Sequence, residues 1–420
     1  MNHSYGAAPR SRPTRRRLLR LAGGGAAAAV LGAGAAACGP EDAAPDDERA
    51  SAGPAKSAPA TKAPGKSPGK GGAPAPAWTA TVPMQAGGVY DELMALDGSA
   101  LTLGDPLTAW DAATGAKRWS AATAVVPGAR LLHATSGAES TVYLASGDFD
   151  GSVAGFDSRT GKETWRSRLG KEYDQPQPIA VDGRQVYVTA TILQDGDRTR
   201  GNVIAALDAA SGRVVWKEQR DLGTEENGIN AVVRGNRLVY TDFKKNLTVR
   251  DTATGHQVWT HKTAKINYDS FAVHQDLVVV AQQGVLSAYA IADGAQKWSL
   301  GAGEFAFFKT PEVIGDVLYV ADSDRNLWAV DPVTGKQVFK ATDLADRSAG
   351  IPVRFAKSGG TLLGATDLDE GGGVHAFDAA TGALRWTFND GSGDFKEWRV
   401  AADERYAYAL HGPKLYALPV

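Results

Sequence analysis

From residue 78 onward, short apolar runs alternate with clusters of turn-forming residues. Val186-Tyr187-Val188, Leu238-Val239-Tyr240, Val278-Val279-Val280 and Leu318-Tyr319-Val320 are rich in β-branched and aromatic side chains, the composition of strands. Residues 374–386, V-H-A-F-D-A-A-T-G-A-L-R-W, show the unit most fully. Before Asp378, apolar and small residues alternate, which predicts a strand with one buried face. Asp378 opens a turn, because its carboxylate can accept backbone N–H groups further along. Gly382 suits a left-handed position, where a Cβ is strained. The chain returns through Leu384 to Trp386, whose ring needs a neighbouring surface to cover it. One such hairpin cannot bury its own face, so it must stack on others.

The others are present. Asp111, Thr114, Gly115 and Trp119 keep the same offsets, as do Asp157, Thr160, Gly161 and Trp165. Asp208, Ser211, Gly212 and Trp216 follow, then Asp251, Thr254, Gly255 and Trp259. Phe339 replaces Trp after Asp331, Thr334 and Gly335, and Ala290 replaces Asp before Asp293, Gly294 and Trp298. The chain ends on Leu415-Tyr416-Ala417-Leu418, the first strand of the unit with no turn after it. Trp78-Thr79 matches Trp386-Thr387, the second strand with no turn before it. Joining the two halves closes a ring. The motif aromatics lie 39 to 51 residues apart, a period that fits four-stranded blades. The expected fold is all-β: an eight-bladed β-propeller over residues 78–420, closed by pairing of its N-terminal strand with the C-terminal blade.

The recurring A-x-D-x-x-T-G-x-x-x-W resembles the tryptophan-docking repeat of quinoprotein-like (PQQ-like) β-propellers. The resemblance covers about residues 78 to 420 and rests on recurrence at a fixed period.

Composition separates the ends of the chain. Up to Ala77 the charge balance is +6, and the remainder carries −8. A mildly acidic propeller argues against duplex nucleic acid as a partner, since phosphate binding needs a basic face. Residues 14–20, T-R-R-R-L-L-R, resemble a twin-arginine export signal built on Arg15 and Arg16. A weakly apolar, small-residue segment leads to Cys38-Gly39, the layout of a secretory signal. Cys38 is the chain's one cysteine and stands where a bacterial lipobox would place it, although Ala35 occupies the usual Leu position. A chance cysteine in a low-complexity leader is the alternative. The expected organisation is a signal peptide over 1–37, a Pro/Ala/Gly/Lys tether over 38–77, and the propeller. The tether lacks the apolar surface needed to offset ordering entropy. Lys56, Lys62, Lys66 and Lys70 suit either solubility or contact with anionic lipid or wall polymer. Lipidation at Cys38 would bury acyl chains in a membrane, giving an extracytoplasmic protein whose membrane contact is that anchor. Twin-arginine export carries folded cargo, as the resemblance implies, and ring closure by such distant strands forms slowly.

In a four-stranded meander the Asp–Thr–Gly hairpins share a face with the first turns. The second turns and blade-to-blade crossings share the other. Variation collects on that other face, where loops carry function. Its second turns at 146–151, 194–201 and 367–373 are enlarged or polar. Its crossings supply the candidate binding residues Tyr173, Asp174, Gln175, Asn227, Asn267, Tyr268, Asp269, Phe308, Lys309, Arg347, Lys396, Trp398 and Arg399. Polar groups beside aromatics suit a ligand or peptide site; ordinary solvated loops are the competing reading.

Catalytic readings find less support. The resemblance implies that many quinone-dependent dehydrogenases hold PQQ beside a disulfide of adjacent cysteines and over a Trp, with a Glu/Asn/Asp set on calcium. No cysteine stands in the propeller and no such acid set matches, although Trp398 offers a stacking ring. Asp322-Ser323-Asp324-Arg325-Asn326 begins like a calcium loop but lacks its Gly and distant Glu, and Asp148-Phe149-Asp150 and Asp367-Leu368-Asp369 are similar fragments. Turn chemistry explains all three. The seven histidines show no metal spacing, and no G-x-S-x-G elbow is present. The expectation is therefore a non-catalytic, monomeric propeller without cofactor or metal, binding a protein, peptide or cell-envelope component. Similar lipoprotein propellers belong to outer-membrane protein assembly machines, yet the N-terminal features suit bacteria with or without an outer membrane. The alternatives are a PQQ- and calcium-dependent dehydrogenase and a small-ligand or glycan sensor.

Overall fold

The structure, a computed structural model, describes residues 72–83, 92–103, 106–121, 131–136, 138–145, 151–194, 198–219, 229–242, 245–263, 270–368 and 371–420. Two units are distinguished, Met1–Ser57 and Ala58–Val420, and only the second contains described residues. Arg15, Arg16, Cys38 and the expected tether up to residue 71 lie outside them.

The strands form eight four-stranded antiparallel sheets. Blades 1 to 7 span 92–120, 132–168, 173–219, 229–262, 271–301, 312–341 and 352–388. Blade 8 combines Trp398–Ala402, Tyr406–His411 and Lys414–Pro419 with Trp78–Thr81 as its outer strand. Trp78 lies opposite Ala417 and Thr79 opposite Tyr416, so the two ends of the propeller share one sheet, as the split repeat predicts. The backbone seal extends beyond the strand on both sides, with Ala77 N donating to Ala417 O at 2.8 Å and Val82 N to Pro413 O at 2.8 Å. Ala73, within the expected tether, packs on the cluster between blades 7 and 8.

Six of the eight blades grip the next through a fourth-strand tryptophan. Trp78 Nε1 donates to Ala112 O at 3.0 Å, Trp119 to Ser158 O at 3.1 Å and Trp165 to Ala209 O at 2.8 Å. Trp216, Trp259 and Trp298 repeat the bond to Thr252, Ile291 and Pro332. The accepting carbonyl is that of the residue after the motif Asp, or after Ala290 in blade 5. The ring lies directly over the hairpin glycine: a Cβ on Gly161 would stand 2.3 Å from Trp119 Cε3, and Gly161 has φ +69°. Glycine is thus required twice, by the backbone and by the ring. Beneath it, Asp157 Oδ1 accepts the N–H groups of Arg159 and Thr160 and the Thr160 hydroxyl, which closes the turn.

Two copies are irregular. The Phe339 side chain has no N–H to give, and the carbonyl it would meet, Ala379 O, accepts from the Tyr319 hydroxyl at 3.2 Å, a bond that Tyr143 and Tyr408 make beside the indole's in intact copies. Ala290 provides no carboxylate, but the backbone bond Gly294 N to Ala290 O holds at 2.8 Å. There His261 comes over the glycine, with Nε2 3.0 Å from Gly294 O and its ring centroid 5.0 Å from that of Trp259.

Eight apolar clusters fill the protein among the described residues, one at each junction between neighbouring blades. This corrects the expectation of one buried face. In blade 4, Leu238 and Tyr240 pack toward blade 3 while Val239 packs toward blade 5. In the motif strand itself, Val374 and Ala376 face blade 8 and Phe377 faces blade 6. A sheet sandwiched between two others buries both faces, so its central strands read as continuous apolar runs.

Two predictions follow from this geometry. Gly183 also has positive φ, +84°, but nothing lies within 4 Å of an added Cβ. Gly183→Ala should cost about 1 kcal/mol, and Gly161→Ala about 1–3 kcal/mol beyond that through displacement of the ring. Equal losses in urea unfolding would show that the tryptophan does not impose the glycine. The second prediction concerns acid. Asp111, Asp157, Asp208, Asp251, Asp331 and Asp378 all hold their carboxyls below the ordinary carboxylate range. The hydroxyl of Thr160, Ser211 or Thr334 is the main cause at Asp157, Asp208 and Asp331, and the Arg385 guanidinium at Asp378. Burial opposes the shift at Asp111 and Asp251, where the turn's hydrogen bonds outweigh it. A depressed folded-state pKa contributes stability above the unfolded value and loses it as pH falls through the folded one. The Tm should therefore drop steeply below about pH 4, and the paired change Asp157→Asn with Asp208→Asn should flatten that drop.

Candidate functional site

The two faces of the ring separate as the meander requires. On the hairpin face, Ala112 N donates to Gly98 O, joining the third turn to the first. On the opposite, loop face, Ala302 N donates to Gly284 O and Phe308 N to Gln283 O, joining a crossing to a second turn. First strands of neighbouring blades approach one another around the axis, and fourth strands lie outermost.

The candidate residues stand in different environments where they are described. Asn227, Asn267, Tyr268 and Asp269 lie outside the described residues. Asp174 and Gln175 belong to the strand Tyr173–Val181, and their side chains are not among those described. Tyr173 is half-buried with the Lys217 ammonium 4.9 Å above its ring. Lys309 leans over Phe307 at 5.1 Å, Arg347 is exposed at the C-terminal end of the short helix Asp343–Asp346, and Lys396 pairs with Asp394 at 3.7 Å. Arg399 joins the Glu397 carboxylate and stands 4.0 Å from Glu92.

Phe308 and Trp398 require correction, because both turn into the core. Phe308 is buried and meets Trp328 edge-on at 5.4 Å in the cluster between blades 5 and 6. Trp398 is 0% exposed. His411 stacks on it at 4.1 Å with an interplanar angle of 8°, and Phe388 meets it edge-on at 6.0 Å. His411 Nδ1 lies 2.9 Å from Asp390 Oδ2, which also accepts from the Tyr416 hydroxyl. Trp398 is therefore part of a buried aromatic and ionic cluster and has no open face for a quinone. With no cysteine in the propeller either, the residues present do not fit the quinone site that the resemblance implies.

What reaches solvent on the loop face is a set of large apolar side chains that sequence reasoning passed over. Phe305 is 87% exposed, Leu368 65% and Phe395 60%, and Phe307 is also exposed. Among the described residues the hairpin face exposes no phenylalanine or leucine. In the crossing G-A-G-E-F-A-F-F, Ala306 and Phe308 point inward while Phe305 and Phe307 point outward. That alternation was the available signal. The crossing is held in place from both sides, since Phe307 N donates to Ser323 Oγ at 3.1 Å and Ser323 N to Phe307 O at 2.9 Å.

The calcium-like segment is a turn. Asp322 is fully buried; its Oδ1 accepts from the N–H groups of Asp324 and Asn326, and its Oδ2 from Trp328 Nε1. Asp242 and Asn246 repeat the arrangement in blade 4. Among the described residues no group of three or more His, Cys, Asp or Glu is placed to hold a metal ion. Asp148, Asp150 and Asp369 lie outside them. A cavity of about 560 Å³ runs along the axis, walled by the first strands of blades 2 to 7.

Eight four-stranded blades locked by a tryptophan-on-glycine repeat define a propeller of the PQQ-like class. The chain belongs to the family described as outer membrane protein assembly factor BamB, whose repeat model matches residues 75–199, 103–270, 199–349 and 267–394. No curated protein matches it in sequence. Among solved structures it is similar to BamB from Moraxella catarrhalis, with TM-score 0.53 and 15% identity over 78% of this chain and 96% of that one. It is also similar to the computationally designed Ika8 protein, with TM-score 0.57 and 14% identity over 81% and 99%. The quinohemoprotein alcohol dehydrogenase ADHIIG from Pseudomonas putida HK5 gives TM-score 0.50 and 13% identity over 79% and 70%. At these identities the likeness establishes the fold alone.

Proposed function

We propose that this protein is a non-catalytic scaffold of the cell envelope that binds another protein through the loop face of its propeller. The observation that carries this reading is the exposure of Phe305, Phe307, Leu368 and Phe395 on the loop face, where among the described residues all the exposed phenylalanines and leucines lie, with Phe307 held by two hydrogen bonds to Ser323. Ordered, exposed aromatics favour association because burying them on a partner removes large apolar surface from water without ordering a loop. The family description supports a role in protein assembly. The partner in this reading is an envelope protein with an apolar surface, and the reading does not depend on an outer membrane. The twin-arginine pattern at Arg15 and Arg16 and the position of Cys38 support export and a lipid anchor. No helix among the described residues is long and apolar enough to cross a membrane.

A photo-crosslinking amino acid placed at Phe305 or Phe395 in the native cell should give discrete protein adducts, whereas the same group at Val333 on the hairpin face should give none. Adducts that are equally abundant from both faces, or absent from both, would refute a loop-face partner. Cys38→Ser should move the protein from the membrane fraction to the soluble one; retention in the membrane would remove the anchor from the reading.

A further inference from the structure

The crossing from blade 7 to blade 8, residues 389–397, carries Phe395 and is built differently from the crossing that carries Phe305. Residues 302–309 turn Ala306 and Phe308 into the core as apolar anchors. Residues 389–397, N-D-G-S-G-D-F-K-E, turn no apolar side chain inward; Phe395 is the one apolar residue among them, and it is exposed. Gly391 and Gly393 both stand at φ +69°, and a segment with two such glycines has wide backbone freedom of its own. Its shape is therefore set by contacts with the blades.

What it turns inward is a carboxylate. The Asp390 side chain is 7% exposed. Its Oδ1 accepts the Ser392 N–H at 3.0 Å, and its Oδ2 accepts from His411 Nδ1 at 2.9 Å and from the Tyr416 hydroxyl at 3.1 Å. Both blade 8 donors sit on a fixed floor, since His411 lies flat on Trp398 and the Tyr416 ring meets Phe388 at 5.0 Å. Burial pushes the Asp390 carboxyl up, but the hydrogen bonds from His411 and Ser392 outweigh it and hold it below the ordinary carboxylate range. It is thus an ionised acceptor at neutral pH, and hydrogen bonds to such an acceptor are the strong ones. Next to it, Asn389 Nδ2 donates to Gly372 O at 2.5 Å, tying the crossing to the second turn of blade 7. The remaining charged side chains of the crossing pair locally, Asp394 with Lys396 at 3.7 Å and Glu397 with Arg399.

We propose that Asp390 is a positioning residue of the loop-face site: its buried carboxylate clamps the crossing to blade 8 and so fixes the place where Phe395 meets the partner. Asp390 does for this crossing what Phe308 does for the other, with charge-assisted hydrogen bonds in place of apolar burial. The clamp stands on its own geometry; its consequence for binding rests on the loop-face reading.

Hydrogen exchange on the purified full-length protein tests the clamp, and crosslinking in the native cell tests its consequence. In Asp390→Ala the amides of 389–397 should exchange about ten-fold faster or more, the value of losing hydrogen bonds to a charged group, while those of 302–309 keep their rate. Tyr416→Phe, which keeps the ring and removes one donor, should give a smaller rise in the same segment, and it carries the test should Asp390→Ala fail to fold. Asp394→Ala, which removes an exposed carboxylate of the same crossing, should change neither segment. A photo-crosslinking amino acid at Phe395 should lose most of its adducts in Asp390→Ala, whereas one at Phe305 should keep them. The clamp is overturned if 389–397 exchanges no faster in either variant that folds, if 302–309 accelerates equally, or if Asp394→Ala has the same effect. Undiminished adducts from Phe395 in Asp390→Ala would overturn the positioning role. Absence of adducts from both positions in the unsubstituted protein would instead refute the loop-face reading, with the exchange result still deciding the clamp.

Discussion

The structure depends on one contact made repeatedly: an indole laid on a glycine of the next blade, with its N–H bonded to the carbonyl beside it. The contact couples a local event to a non-local one. Asp, Thr and Gly set the hairpin within a few residues, and the bare glycine then receives a ring from some forty residues earlier in the chain, as Gly161 receives Trp119. A side chain on that glycine would push the two blades apart, and a turn without it would leave the indole uncovered. Each blade is therefore both a support and a load. The arrangement is stable only when no blade is left at an end, because an array of repeats with free ends exposes apolar faces that need caps.

Ring closure removes the ends. Trp78 belongs to blade 8 by pairing and to blade 1 by docking, since it lies opposite Ala417 and donates to Ala112 O. Tyr408, from the far end of the chain, stands 5.9 Å from the same indole. The closing blade is the one place where the covalent order and the spatial order disagree. It has no Asp–Thr–Gly hairpin, and Trp386 packs instead in the cluster that includes Ala73 and Tyr416. The residues just before Trp78 thus take over packing that a hairpin provides elsewhere.

This division explains what was legible in the sequence. The repeat could be read because its chemistry is short-range: Asp157 reaches N–H groups two and three residues away, and a positive φ at the fourth residue after it selects glycine. The split blade could be read because its halves keep their own offsets. The loop face could not be resolved residue by residue, because whether an aromatic in a crossing turns inward depends on partners distant in sequence. Phe308 is buried since Trp328 lies behind it, whereas Phe307, next to it in the chain, has only Lys309 and solvent on its outer side. Trp398 opens the first strand of blade 8 directly beneath His411, a neighbour no local pattern announces. The reading of one buried face failed for a related reason. Period-two logic counts faces on an isolated sheet, and a blade has a neighbour on each side.

The same geometry divides the surface into regions with different freedom to acquire function. The hairpin face is committed, because nearly every polar group in its turns is engaged in holding them. The first strands around the axis are less constrained, since one edge of each faces the cavity and only their flanking side chains enter the blade junctions. The crossings are the least constrained of all, needing only to span two blades and to place an inward anchor such as Phe308. Side chains between the anchors can change without loss of the ring, and it is there that Phe305 and Phe395 stand in solvent. The same scaffold is shared with solved structures at 13–15% identity. The fold therefore fixes where recognition occurs and leaves open what is recognised.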